Sequence, residues 1–196
     1  MSASPPGWLG IFRLGLVQTA LGAIVVLTTS TINRVMVIEM AMPAMLPGAL
    51  VAMHYAVQVL RPRLGHGSDI GGRRTPWIIG GMALLACGGV AAAVATAWMA
   101  TQPVYGIVLA VAAFIAIGLG VGAAGTSLLV LLATKVVARR RPAAATIVWV
   151  MMILGFVITA TIAGKFLDPF TPARLVQVTT TAALIAFFMS VLAVYG

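Results

Sequence analysis

The sequence predicts an all-α membrane protein: a single domain, residues 1–196, of six transmembrane helices with its N-terminus in the cytoplasm. Three observations lead there. Of the 196 residues 62% are apolar and 8% charged, and the mean hydropathy is +1.13; no water-soluble surface can be built from that inventory. The apolar residues fall into six stretches, each close to or above the roughly 20 residues that cross a hydrocarbon core. The 12 Lys and Arg residues stand at the ends of those stretches and crowd one side, as they do in cytoplasmic loops.

The spans are expected at 14–33, 44–62, 76–98, 104–134, 143–164 and 173–195. No secretory signal stands out ahead of the first: Met1–Gly7 lacks a basic n-region, and the apolar run lacks a persuasive small-residue cleavage site. The second carries His54 about halfway along. Thr75-Pro76 places an N-cap residue before a proline at the start of the third, and Arg141-Pro142 and Thr171-Pro172 open the fifth and sixth in a related way. The fourth is long enough that its last turn or two is expected in the headgroup layer beside Lys135. Gly118 and Gly122 on the fourth span lie four apart, with Gly120 and Gly125 nearby, and Gly80, Gly81, Gly88 and Gly89 line the third. Small faces of this kind let helices approach closely; a substrate path is their other use.

Sorted by side, Arg13, Arg61, Arg63, Arg73, Arg74, Lys135, Arg139, Arg140 and Arg141 share the face of the N-terminus, while Arg34, Lys165 and Arg174 occupy the other. Nine against three sets the orientation. The net charge of +9 is opposed only by Glu39, Asp69 and Asp168, and with few aromatics beside the arginines it speaks for topology, not for nucleic-acid binding. Cys87, the single cysteine, can form no intrachain disulfide. With three acids and two histidines on separate segments, no paired carboxylates, metal-ligand spacing or nucleophile with a base can be assembled, so neither an enzyme nor a metal site is expected.

Between the second and third stretches stands Gly65-His66-Gly67-Ser68-Asp69-Ile70-Gly71-Gly72-Arg73-Arg74. Its glycines are expected to let the backbone take φ > 0 and reverse within a few residues, leaving Asp69 as a fixed acceptor. A basic turn of this sort also occurs in many helical membrane proteins, but glycine, acid, glycine and paired arginines at these offsets resemble the signature loop of the major facilitator superfamily. That resemblance implies the N-terminal six-helix half of a facilitator, whose two halves enclose a midplane cavity.

Further residues narrow the resemblance. Trp8-Leu9, Arg13-Leu14-Gly15-Leu16-Val17-Gln18, Ile32-Asn33-Arg34-Val35-Met36-Val37-Ile38-Glu39, Arg140-Arg141-Pro142 and Trp149-Val150-Met151-Met152-Ile153-Leu154-Gly155 follow one another in the order and spacing of the bacteriochlorophyll delivery branch, the PucC and LhaA proteins of purple phototrophic bacteria. It runs from about residue 8 to the end and departs in length, since that branch has twelve helices. The resemblance implies an assembly factor of the bacterial inner (intracytoplasmic) membrane, delivering or holding bacteriochlorophyll or apoproteins for light-harvesting or reaction-centre complexes. Membrane lipids, light-harvesting or reaction-centre polypeptides, and a second six-helix half or a homodimer are its expected partners. A secondary transporter half and a structural subunit packed on a photosynthetic complex are the alternatives; proton antiport is disfavoured, because the third to sixth spans hold no Asp, Glu, Lys or Arg between their ends.

Within this frame His54 is the candidate pigment-binding residue, since a neutral imidazole can ligate magnesium where water is scarce; its other reading is a core histidine bonded to a neighbouring helix. Asn33, Arg34 and Glu39 form a polar cluster at the outer end of the first span, where Arg34 and Glu39 can pair only if the helix ends or unwinds near residue 36, or can meet a pigment carbonyl or a partner. Gly65, Asp69, Gly72, Arg73 and Arg74 make up the signature loop. Arg139, Arg140 and Arg141 form a basic loop that suits anionic headgroups or an acidic partner tail.

Overall fold

Hydrocarbon offers the backbone no hydrogen-bond partner, so a long run of Leu, Ile, Val, Ala and Gly satisfies its amides within a helix. The computed structural model describes residues 6–70 and 74–195, and among them there is no strand. Helix α1 (Trp8–Val26), a π-helical turn (Leu27–Thr31), α2 (Ile32–Arg34) and a second π-helical turn (Val35–Glu39) join into one rod. Met42 N–H then bonds back to the Met36 carbonyl at 2.9 Å, closing the end of that rod. Next come α3 (Met45–Val57), a 3-10 turn (Gln58–Leu60) and α4 (Arg61–Ile70). The chain continues with α5 (Arg74–Met99), α6 (Pro103–Lys135), a 3-10 turn (Ala138–Arg140), α7 (Arg141–Phe166) and α8 (Pro172–Tyr195).

Among the described residues five helical stretches are long and apolar enough to cross a membrane: Trp8–Glu39, Arg74–Met99, Pro103–Lys135, Ala138–Phe166 and Pro172–Tyr195. The chain is a multi-pass membrane protein. The expected second span, 44–62, is not one regular helix but α3 joined to α4 through a tightened turn. Pro62 is the reason. It has no N–H to give the Gln58 carbonyl four residues back, so that carbonyl accepts from Arg61 N–H instead and the turn narrows to 3-10 geometry.

The positive-φ reversal expected from the glycines of the signature loop is corrected at two of them, Gly65 and Gly67. Gly65 and Gly67 sit inside α4 with ordinary helical backbone. They serve close approach instead: a Cβ at Gly65 would stand 3.1 Å from Thr126 Cγ2, and one at Gly67 would stand 2.9 Å from the Trp77 ring. Gly71, Gly72 and Arg73 lie outside the described residues. Thr75 is inside α5, which is already helical at Arg74, so it does not cap that helix. At α8 the expected cap is present, with Arg174 N–H donating to Thr171 Oγ1 at 3.2 Å.

Two helix contacts dominate. Helices α5 and α6 pack through glycine faces: a Cβ on Gly120 would lie 2.7 Å from Leu85 N and 2.8 Å from the Gly81 carbonyl oxygen, and one on Gly88 would lie 3.1 Å from the Ala113 carbonyl oxygen. Helices α1 and α7 pack through Gly15, Gly22 and Gly155, the last against the Thr19 backbone. The Thr19 hydroxyl donates across this seam to the Met151 carbonyl at 3.1 Å. Backbones can approach this closely only where the intervening residue has no side chain.

The pairing scheme has an internal symmetry. Helix α1 packs on α7 as α6 packs on α3 and α4, α5 packs on α6 as α8 packs on α1, and α5 meets α8. Exchanging α1, α3–α4 and α5 for α6, α7 and α8 maps these principal contacts onto one another, while smaller ones, α1 with α5 and α6 with α7, have no comparable counterpart.

Candidate functional site

Charged groups collect at the two ends of the bundle, while Gln18, His54, Ser127 and Thr179 are buried along the helices. At the end holding the α1–α2 rod's C-terminus, Arg34 and Glu39 form an ion pair, Nη2 to Oε1 3.6 Å. Residues five apart point to different faces of an α-helix, but a π-helical turn bonds i to i+5 and brings them into line; Val35–Glu39 is such a turn. Asn33 is half-buried beside them. Arg34, Glu39, Gly164, Leu167 and Asp168 line a polar cleft of about 380 Å³ there. Arg174 Nη1 donates to the carbonyl of Pro169, another lining residue, at 2.7 Å.

The opposite end is basic. Arg140 lies over the Trp8 ring at 5.2 Å, tying the start of α1 to the 3-10 turn before α7. Arg141 Nε donates to the Val136 carbonyl at 3.1 Å, and Arg139 is exposed. Of the signature-loop residues, Gly65 is buried against α6, and Arg74 Nη1 donates to Thr134 Oγ1 at 2.8 Å. Asp69 belongs to α4, but its side chain, like Gly72 and Arg73, lies outside the described residues. The loop and the basic cluster thus share one end, while Asn33, Arg34 and Glu39 occupy the other.

His54 stands apart from both. It is 1% exposed, on the face of α3 that packs against α6, where its carbonyl oxygen would be 2.7 Å from a Cβ at Gly118. Nε2 is 2.8 Å from Gln58 Nε2, one turn along the same helix. Whichever way that amide is turned, Nε2 is occupied, and Nδ1 is buried without a hydrogen-bond partner among the described residues. An orphaned imidazole nitrogen has the chemistry of a magnesium donor, but in this packing no opening leads to it.

A feature missed in the sequence is an apolar groove of about 500 Å³ between α5 and α8, closed at one end by Leu109 of α6. Ala86, Cys87, Val90, Val94, Thr180 and Phe187 are among the residues lining it. The signal was present: Ala83, Ala86, Cys87, Val90, Ala91 and Val94 recur at helical spacing and make one shallow face. Only the partner helix turns that face into a groove.

Comparison with known proteins fits the chain into a family. The family model described as PUCC protein matches residues 31–196. The chain is similar to the "Bacteriochlorophyll synthase 44.5 kDa chain" of Rhodobacter capsulatus, 54% identical over 190 residues, covering 97% of this chain and 44% of that protein. It is also similar to "Protein PucC" of Rhodobacter capsulatus, 32% identical over 203 residues, with 94% of this chain and 43% of that protein covered. To the "Uncharacterized protein in puhA-bchM intergenic region" of the same organism it is 29% identical over 201 residues, covering 94% of this chain and 41% of that protein. The chain therefore spans less than half the length of these curated relatives. With a family match over most of its length, this chain belongs to the PUCC protein family.

Proposed function

We propose that this chain is a six-helix half of a facilitator-like membrane protein that assists assembly of photosynthetic complexes in the bacterial inner membrane. It does so by holding bacteriochlorophyll or newly inserted apoproteins in lateral contact within the bilayer. The observation that carries this reading is the 54% identity, along 97% of the chain, to a protein named as a bacteriochlorophyll synthase chain. The principal helix pairings, α1 on α7 with α6 on α3 and α5 on α6 with α8 on α1, support the facilitator-like part. Trp149, Ile153, Leu154, Val157, Ile158 and Ile162 on α7 are at least half exposed or close to it, a face suited to a second six-helix half, a second copy of the chain, or a light-harvesting or reaction-centre polypeptide.

The role is not catalytic in this reading. Glu39 and Asp168 stand at one end of the bundle and His54 is enclosed against α6, so no acid and base face a common cavity among the described residues. In the pigment-holding part of the proposal, the groove between α5 and α8 takes the hydrocarbon tail, since it offers apolar walls and room for a flexible chain. His54 would serve as magnesium ligand only once the ring turned away from α6, since Nδ1 has no partner among the described residues but is enclosed there.

The test is purification in mild detergent from a pigment-producing host, followed by absorption spectra and mass spectrometry. Bacteriochlorophyll absorption together with light-harvesting or reaction-centre subunits is the expected result. His54→Ala should lower the pigment content without lowering accumulation if the imidazole is the ligand. A preparation with neither pigment nor subunits that moves a solute in reconstituted vesicles would replace this proposal with the transporter reading.

A further inference from the structure

A second groove, of about 500 Å³, runs between α1 and α8 at the basic end. Its walls are Leu16, Leu184, Ile185, Phe188, Met189 and Leu192, and the cation at its mouth is Arg13. We propose that this groove is a binding site for one anionic glycerophospholipid, with the phosphate at Arg13 and an acyl chain laid along α8.

The charge argument comes first. Arg13 is exposed and makes no hydrogen bond or ion pair among the described residues. The other basic side chains with recorded contacts at this end are engaged locally: Arg74 with Thr134, Arg140 with Trp8 and Arg141 with the Val136 carbonyl. Glu39 and Asp168 are at the opposite end, and Asp69, the remaining acid, belongs to α4, which packs chiefly on α6 and not on the α1–α8 groove. A guanidinium presents donors in a fork that matches two phosphate oxygens. Placed one to two turns inside the start of α1, it sits where a helix enters the headgroup layer and its long side chain can reach the interface.

The shape argument is independent. From Leu192 to Leu184 the groove follows α8 for about 12 Å, at 1.5 Å per residue, which accommodates most of an acyl chain lying against the helix. Phe188 and Leu192 are 59% and 71% exposed, so they form open walls that a chain can cover. Apart from Arg13 the six walls named above are all hydrocarbon or thioether. A cation at the headgroup level with an apolar trough beneath it is complementary to an anionic lipid, and the trough gives a water-soluble anion nothing to bind. The proposal is independent of any role in pigment handling.

Native mass spectrometry of the chain, released from micelles holding equal phosphatidylglycerol and phosphatidylcholine with identical acyl chains, tests it. Wild type is expected to retain phosphatidylglycerol in preference. Arg13→Gln should reduce that preference about fivefold, the equivalent of about 1 kcal/mol for one basic residue at an anionic surface, while phosphatidylcholine retention stays unchanged. Arg13→Lys should keep most of the preference. Phe188→Ala should lower retention of both lipids together, and Arg63→Gln, on exposed α4 away from the groove, should leave the preference as it is. Melting temperatures check that each variant is folded. Equal retention of the two lipids by wild type, an unchanged preference in Arg13→Gln, or an equal loss in Arg63→Gln overturns the proposal.

Discussion

Thr19 and Gly155 hold the seam between the first rod and α7. The hydroxyl of Thr19 reaches the Met151 carbonyl, and its backbone fills the space a Cβ on Gly155 would need. Because the obstruction is backbone, it cannot turn aside. Gly155→Leu is therefore expected to cost about 1–3 kcal/mol as overpacking, read as a lower melting temperature in detergent, and Gly164→Ala serves as its contrast. Gly164, on the same helix, has nothing within 4 Å of its Cβ position, so the alanine should be neutral or stabilise by up to about 1 kcal/mol through helix propensity. The same distinction sorts the glycines of α6. At Gly122 a Cβ meets the flexible tip of Leu64, whereas at Gly120 it meets the backbone of α5, so Gly120→Leu should be the more damaging of the two.

The pair His54 and Gln58 belongs to this scale as well. Gln58→Leu leaves a buried ring nitrogen without its partner, which costs about 1–3 kcal/mol. Removing both polar groups together removes the orphan. Thermal unfolding of Gln58→Leu, His54→Leu and the double variant should then show a double loss smaller than the sum of the singles; strict additivity would mean the 2.8 Å contact carries no energy.

Among the elements, the ends and interruptions of helices are set by single residues acting through the backbone. Thr171 caps α8 by accepting from Arg174 N–H. Thr171→Ala should cost about 1 kcal/mol and Thr171→Ser little, measured by thermal unfolding. Pro62 interrupts the helix begun at Met45 by withholding one N–H. The two π-helical turns in the first rod have no such single cause among the described residues, and the effect of the second, Val35–Glu39, is to bring Arg34 and Glu39 onto one face. That ion pair was legible only as a condition in the sequence, because a spacing of five is wrong for an α-helix and right for a π turn.

At the scale of the molecule the described basic side chains gather mostly at one end of the bundle, and the pairings of α5 with α6 and α1 with α7 are its main contacts. If the basic end faces the cytoplasm, a reporter fused after Gly196 is active in the cytoplasm and one inserted beside Gln102 reads the other compartment. The reversed pattern at both sites would overturn that orientation and with it the leaflet in which the lipid groove of α1 and α8 opens. The exposed face of α7 completes the picture: it meets α1 along Gly155 and leaves Trp149, Ile153 and Val157 outward, where lipid or another helical bundle must cover them.

What the sequence by itself determined is the class of molecule and most of its helices, because the length of an apolar run and the residues at its ends act locally. The limits expected for the fourth apolar stretch, 104–134, and those of helix α6, Pro103–Lys135, differ by a single residue at each end. The glycine faces of the third and fourth apolar stretches were visible as spacing, and α5 and α6 pack on them. Other features needed the fold. That Gly65 and Gly67 serve close approach within a helix, not a reversal, depends on Thr126 and Trp77, which lie far along the chain or across a turn. The enclosure of His54, the groove behind Cys87 and the lipid-sized trough beneath Arg13 each require a second helix to form the other wall. A helix face is written in the spacing of its own residues, but a cavity exists only between two faces, and which faces meet is decided by the packing of the whole bundle.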